Sequence, residues 1–456
     1  MSRRRVRRRV LQILAILAVL GLVATMLYRG AAQAATPSTD AAPPDAGERE
    51  DSAQEPGPGQ WFMEPYGIPD LWETSRGEGV TVAVIDSGVN DQHENLTGRV
   101  TAAQDFSGTG KDGTEPVGDE SIIHHGTAVA GVIAGSGTGS GPVGVAPEAD
   151  IASASVWLGG DAPAASQSTR VQAERALRWA VDNGASVINM SLGWDDPSWP
   201  ETWDSAFAYA YEHDAVVIAC VGNRSQGATQ AWSPATVPGV VGVGGLTKDG
   251  TIRESSSAPG TAVDLMGPAE DIPVPFWEGG YGTADGCSFA APVVAGVAAL
   301  LRSAHPDWTA DQVTAALRET AGPVEGHDGQ GTAEEPDPLV GAGRLDPAAA
   351  LDWEARADVP SAAGQLEEWV RMHRRAEPQP EAGETTAATE DAEADGPVLA
   401  DGTVAASGTA SPVLGPVLVA VGGAAGAGLL LAAGVLAVRG RRAGSQDPAE
   451  ASATES

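Results

Sequence analysis

The chain has 456 residues, room for one large domain with accessory segments, and a formal net charge of −34. Between positions 30 and 438, 17 basic side chains stand against 58 acidic ones, a surface that repels nucleic acid and anionic lipid and excludes nucleic-acid partners. Two cysteines, Cys220 and Cys287, are too few for a disulfide framework, so the fold must stand on its core.

In chain order, the arginine-rich start runs into an apolar stretch from Val10 to Leu27 and then Ala32-Gln33-Ala34, a small-x-small pattern. Residues 1–34 read as a secretory signal peptide, with an uncleaved N-terminal anchor as the other reading. Residues 35–59 are rich in Pro, Ala, Asp and Glu without periodicity and are expected to be a disordered linker. A folded unit is expected over 60–353. Within it, Val80 to Ile85 reads as a buried strand, and His125 to Ala134 begins a helix whose small residues permit close packing. Ile151 to Trp157, Val187 to Ser191, Ala215 to Val221 and Val237 to Gly244 read as further strands. Val171 to Asn183 and Trp203 to His213 read as helices between them, and Ser288 to Ser303 as a long apolar helix. Alternation of this kind predicts an α/β fold, a mostly parallel sheet with helices on both faces. Ligand sites in such sheets gather at the C-terminal strand ends, where Asp86 and Asn223 fall.

Beyond the folded unit, residues 354–412 read as an acidic, Ala/Thr-rich tether in which Glu367-Glu368-Trp369-Val370 forms a short helical patch. Residues 413–438 carry no charge over 26 positions, enough to span about 30 Å of hydrocarbon as a transmembrane helix. Arg439, Arg441 and Arg442 follow at once and are expected to hold 439–456 in the cytoplasm, which leaves the folded unit outside.

Three extended motifs carry an acid, a base and a nucleophile. Val82-Ala83-Val84-Ile85-Asp86-Ser87-Gly88 sets a carboxylate at the end of a buried run, suited to orienting a base. His125-Gly126-Thr127 supplies an imidazole at a helix start, and Gly286-Cys287-Ser288-Phe289-Ala290-Ala291-Pro292 supplies a hydroxyl at another. A serine hydroxyl attacks only when a neighbouring base takes its proton, and that base needs a buried carboxylate to hold its tautomer. The order Asp, His, Ser is one of three in which this hydrolytic geometry occurs on unrelated folds.

In these motifs the chain resembles the subtilisin family of serine proteases. The resemblance implies a subtilisin-like three-layer sandwich and the catalytic residues Asp86, His125 and Ser288. It favours His125 over His124, because Gly-Thr directly follows the family's catalytic His. The family's second His is replaced by Ala128. Asn223, in Val221-Gly222-Asn223, resembles the oxyanion asparagine that follows a strand, with the Ser288 backbone N–H as the second donor. Ser191, Leu192 and Gly193 resemble the strand along which substrate is laid. Trp194 occupies a position that is usually small, and Trp232 aligns with the floor of the pocket for the residue before the scissile bond. If both indoles point inward, little volume is left, and Ala, Ser or Gly is expected there. Cys287 stands where the family has Thr, near Cys220, so a disulfide bracing the site and two buried thiols are both open. No cofactor or metal site is read from the sequence; the acidic clusters Asp195-Asp196 and Asp112 to Glu120 read as solvated loops.

Gln60-Trp61-Phe62 through Trp72, followed by Gly77-Glu78-Gly79-Val80, is similar to the N-terminal extension of the mycosins, membrane-anchored subtilisin-like proteases of type VII secretion systems. This resemblance implies a single-pass cell-membrane protein with an extracytoplasmic active site, protein or peptide substrates, and association with a secretion complex. It also leaves open a structural role with dispensable proteolysis, or a surface protease without a secretion partner.

Overall fold

The computed structural model describes residues 55–374, apart from positions 161, 164, 165 and 330. The expectations for a signal peptide, for a transmembrane helix at 413–438 and for the cytoplasmic tail lie outside the described residues.

Seven strands form one parallel sheet: β1 (Thr81–Asp86), β2 (Val100–Asp105), β3 (Asp150–Ser155), β4 (Val187–Met190), β5 (Val216–Cys220), β6 (Val241–Leu246) and β7 (Leu265–Pro268). Their spatial order is β2-β3-β1-β4-β5-β6-β7, and every pairing within it is parallel. An antiparallel hairpin, β8 (Ile272–Pro275) and β9 (Tyr281–Ala284), follows.

The strands read as continuous apolar runs because both faces are covered. Successive side chains point to opposite faces, so alternate residues enter different cores. Val82 and Val84 of β1, with Val216, Ile218 and Cys220 of β5, pack under the helices His125–Ala134 and Cys287–Ala304. Ala83, Ile85, Val217 and Ala219 pack under the helices Thr169–Asp182 and Glu201–Glu212. The result is the expected three-layer α/β arrangement. The helix Cys287–Ala304 is apolar and long enough to cross a membrane, but it is buried in the domain, where the sheet and the neighbouring helix account for its composition.

The segment before β1 belongs to the folded unit. Phe62, Met63, Ile68 and Leu71 are buried in the first core, and the Gln60 side chain closes a pair of hydrogen bonds with the Val143 backbone, at 2.7 and 2.9 Å. The start of the expected tether is folded as well. A helix, Ala362–His373, buries Leu366 in the second core and sets the Trp369 ring 4.3 Å from that of Trp199. Arg374 then pairs with Asp204 at 2.8 Å. The folded unit thus extends about 20 residues past the expected boundary at 353. Leu366→Ala should therefore cost about 2–3 kcal/mol, the scale for emptying a buried leucine site. Urea unfolding would read this as a lower midpoint at unchanged slope, and an unchanged midpoint would mean that the helix adds nothing to the domain.

Candidate active site

Asp86 is the last residue of β1, Ser191 lies just past β4 and Asn223 just past β5, so one edge of the parallel sheet delivers all three. Sheet topology explains the location: the chain leaves β1 toward β2 on one side and leaves its neighbour β4 toward β5 on the other, opening a crevice between them at the C-terminal strand ends.

Both carboxylate oxygens of buried Asp86 lie 2.9 Å from His125 Nδ1. Asp86 Oδ1 also accepts the Ser87 backbone N–H at 2.7 Å, so the carboxylate is fixed before it meets the ring. His125 is the first residue of its helix, and the next turn is drawn in tightly. The Gly126 N–H donates to Ser87 Oγ at 3.0 Å, and a Cβ on Gly126 would fall 2.4 Å from the Gly88 carbonyl oxygen, so no larger residue fits after the histidine. His124 is engaged elsewhere. Its Nδ1 accepts the Trp277 N–H at 3.2 Å, its ring meets Phe276, and burial pulls its pKa below the ordinary imidazole range.

Ser288 is the second residue of the helix Cys287–Ala304. Its hydroxyl donates to the Ser191 carbonyl at 3.2 Å, while the Ser191 hydroxyl donates back to the Ser288 carbonyl at 2.8 Å. His125 Nε2 is buried and has no hydrogen-bond partner among the described residues. The Phe289 ring lies 5.3 Å from the imidazole. Asn223, also buried, accepts the Cys287 backbone N–H on Oδ1 at 3.3 Å, which commits the oxygen end of the amide and makes its NH₂ end the donor.

The two cysteines are joined. Cys220 and Cys287 form a disulfide with Cα atoms 5.2 Å apart, tying the end of β5 to the residue before Ser288. The bond brackets a separation of 67 residues. Closing a loop of that size removes about 4 kcal/mol of unfolded-chain entropy. Replacing both cysteines with alanine is thus expected to lower the unfolding free energy by about 3–4 kcal/mol, measured by denaturant titration; an equal midpoint in the variant would show that the cross-link stores no stability.

The two tryptophans part company. Trp194 donates its indole N–H to Thr169 Oγ1 at 3.2 Å and packs against Trp203 at 5.3 Å in the second core, behind the site. Trp232 instead lies against Gly193 and Gly222, and its indole N–H donates to Asp195 Oδ1 at 2.8 Å. The condition that both indoles point inward is not met: Trp194 turns into the second core, while Trp232 lies against Gly193 and Gly222.

Residues 77–343 match the Peptidase_S8 family, described as the subtilase family, over more than half of the chain. The chain belongs to the subtilase family. Subtilisin E of Bacillus subtilis (strain 168) is 36% identical over 265 residues, 56% of this chain and 66% of subtilisin E, so this subtilase spans just under two thirds of that relative. The solved structure of the MycP3 protease from the type VII (ESX-3) secretion system is similar with a TM-score of 0.54 at 31% identity, covering 66% of this chain and 90% of MycP3. MycP1 from Mycobacterium smegmatis is similar with a TM-score of 0.54 at 26% identity, covering 69% of this chain and 89% of that one.

Sequence reasoning about this subtilase missed Ser87, Asp195 and the mutual bonds of Ser191 and Ser288. Asp195 had a signal, an acid five residues past β4 on the loop that walls the site, but acidic doublets are ordinarily solvated. Asp112, in the other acidic stretch, accepts hydrogen bonds from the Thr114 backbone and hydroxyl, which hold its carboxyl below the usual range.

Proposed function

We propose that this subtilase is a serine endopeptidase in which Asp86, His125 and Ser288 act as the catalytic triad. The observation that carries the reading is the grip of both Asp86 oxygens on His125 Nδ1, with Nε2 facing no hydrogen-bond partner among the described residues. That grip puts the ring's proton on Nδ1 and leaves Nε2 as the base. Ser288 Oγ turns about its Cα–Cβ bond from the Ser191 carbonyl to Nε2, gives up its proton and bonds to the substrate carbonyl carbon. Catalytic hydrogen bonds in unliganded enzymes commonly tighten only when substrate is bound. The oxyanion then accepts from the Ser288 backbone N–H, one of the unpaired donors of a helix start, and from the Asn223 NH₂. His125 passes its proton to the leaving amine, and water, deprotonated by the same ring, releases the acyl group.

Asn223→Ala is expected to lower kcat by about 10²–10³ with little change in KM, because its donor meets charge that exists only in the transition state. Equal loss from KM would assign Asn223 to ground-state binding. A serine-directed phosphonate tests the whole reading. An adduct located at Ser288 by peptide mass spectrometry supports it, and a folded protein that forms none overturns it.

The setting rests on the sequence and on the relatives. The signal-like start, the linker, the tether and the uncharged run at 413–438 followed by Arg439 support a membrane anchor with the domain outside the cytoplasm, acting on exported proteins. Similarity to MycP3 and MycP1 supports association with a type VII secretion system. One observation favours a second reading, a structural subunit whose proteolysis is dispensable: Ser288 is fully buried and bonded to Ser191. Secretion that survives Ser288→Ala but not deletion of the chain would select it.

A further inference from the structure

The slot beside the nucleophile is already filled by the protein's own side chain. The scissile carbonyl is fixed by its donors, the Ser288 backbone N–H and the Asn223 amide. The side chain one bond before it must therefore enter the space between Ser191–Gly193 on one side and Gly222 on the other. The Trp232 indole lies in that space and touches both walls. A Cβ built on Gly222 would fall 2.6 Å from Trp232 Cδ2, and one built on Gly193 would fall 3.2 Å from Trp232 Cε3. At Gly222 no side chain but hydrogen is compatible with the indole, and at Gly193 even a methyl group would press on it. Ala228 and Ala258 pack around the ring, and only 1% of Trp232 is exposed.

The ring is held at two ends. The Trp232 backbone N–H donates to the Val221 carbonyl at 3.0 Å, and its indole N–H donates to Asp195 Oδ1 at 2.8 Å. A buried indole N–H left without an acceptor is costly, so the carboxylate ties the ring's orientation to the loop that follows Ser191–Gly193. A substrate side chain of leucine or phenylalanine size would have to expel the indole and break that bond.

We propose that Trp232, positioned by Asp195, closes the pocket for the residue before the scissile bond and restricts this subtilase to chains with glycine or alanine there. The proposal rests on the reading of Ser288 as nucleophile. It makes Trp232 a specificity-determining residue and Asp195 a positioning residue. A larger apolar pocket lies latent where the indole now sits.

The test uses full-length protein and a set of peptidyl phosphonates that differ only in the residue next to the phosphorus: glycine, alanine, leucine or phenylalanine. The rate of adduct formation at Ser288 is followed by intact mass. Alanine and glycine probes are expected to react about 100-fold faster than leucine and phenylalanine probes, the discrimination a filled apolar pocket can supply. Trp232→Gly should reverse the order. Asp195→Ala should narrow the alanine-to-leucine ratio about tenfold, whereas Asp195→Asn, which keeps an oxygen acceptor for the indole N–H, should restore it. A merely structural aspartate would change all probes alike and would not be rescued. Leucine or phenylalanine probes reacting as fast as alanine with the unaltered protein overturn the inference while leaving Ser288 as nucleophile. Ser288 unlabelled by every probe, in protein and variants alike, overturns both. The Asp195 pair keeps the question open to measurement if Trp232→Gly does not fold.

Discussion

Ser288→Ala is expected to lower kcat/KM toward peptides by about 10⁶-fold, the loss seen when the nucleophile is removed from a triad that acts as a unit. The remaining rate would come from substrate positioning and from the oxyanion donors, the Ser288 backbone N–H among them, which alanine retains. Folding should hardly change, because the Ser288 hydroxyl makes one hydrogen bond, to the Ser191 carbonyl, and such a bond is worth about 1 kcal/mol net. Adding His125→Ala to the same chain should cost almost nothing more, since a base without its nucleophile has no proton to take. Steady-state kinetics on the two variants, with thermal unfolding as the control for folding, check both statements. Residual turnover above about one per cent of the unaltered protein would place the nucleophile elsewhere.

Asp86→Asn is expected to lower kcat by about 10⁴ at neutral pH with KM nearly unchanged. The mechanism follows from the hydrogen bonds around the carboxylate. The Ser87 N–H, at 2.7 Å from Oδ1, will keep an oxygen, so the new amide must turn its NH₂ group toward His125 Nδ1. Nδ1 then has to accept, which moves the ring proton to Nε2, the atom that should receive the proton of Ser288. The imidazole stays in place but in the wrong tautomer. Kinetics together with the imidazole nitrogen shifts measured by NMR would separate this from misfolding. A loss below tenfold would mean that Asp86 does not set the tautomer.

The proposed acid, base and nucleophile were legible because each lies at or next to the end of a buried apolar element, where periodicity is strongest. Asp86 closes the run Val82 to Ile85, and Ser288 is the second of fifteen consecutive buried positions from Cys287 to Leu301. β2 escaped notice because it is an edge strand: Val-Thr-Ala-Ala-Gln-Asp is only partly buried, and no apolar run marks it. β6 begins at Val241 and not at Val237, because Pro238 and Gly239 turn the chain before the strand starts. The directions of Trp194 and Trp232 were not legible either. Trp194 is paired through its backbone with Ser233, and in extended chain one step decides which core a side chain enters. The helix Ala362–His373 has a mostly exposed face, so its sequence resembles the acidic stretch that follows, and the docking of Leu366 and Trp369 depends on partners far away in the chain. The disulfide could not be separated from a pair of thiols by composition alone, because pairing depends on β5 and the helix Cys287–Ala304 meeting side by side.

On the proposed endopeptidase reading, a molecule kept among copies of itself meets itself as its most abundant substrate, and it survives only as long as it rarely opens. The cross-link between Cys220 and Cys287 changes what a single cut can do. The bracketed stretch holds β6, β7 and the hairpin, and a nick anywhere inside it leaves the two pieces covalently attached at the strand before Asn223 and the first residue of the helix that carries Ser288. Such a nicked molecule would run as one band without reductant and as two with it, and its machinery would stay assembled after the backbone had been severed.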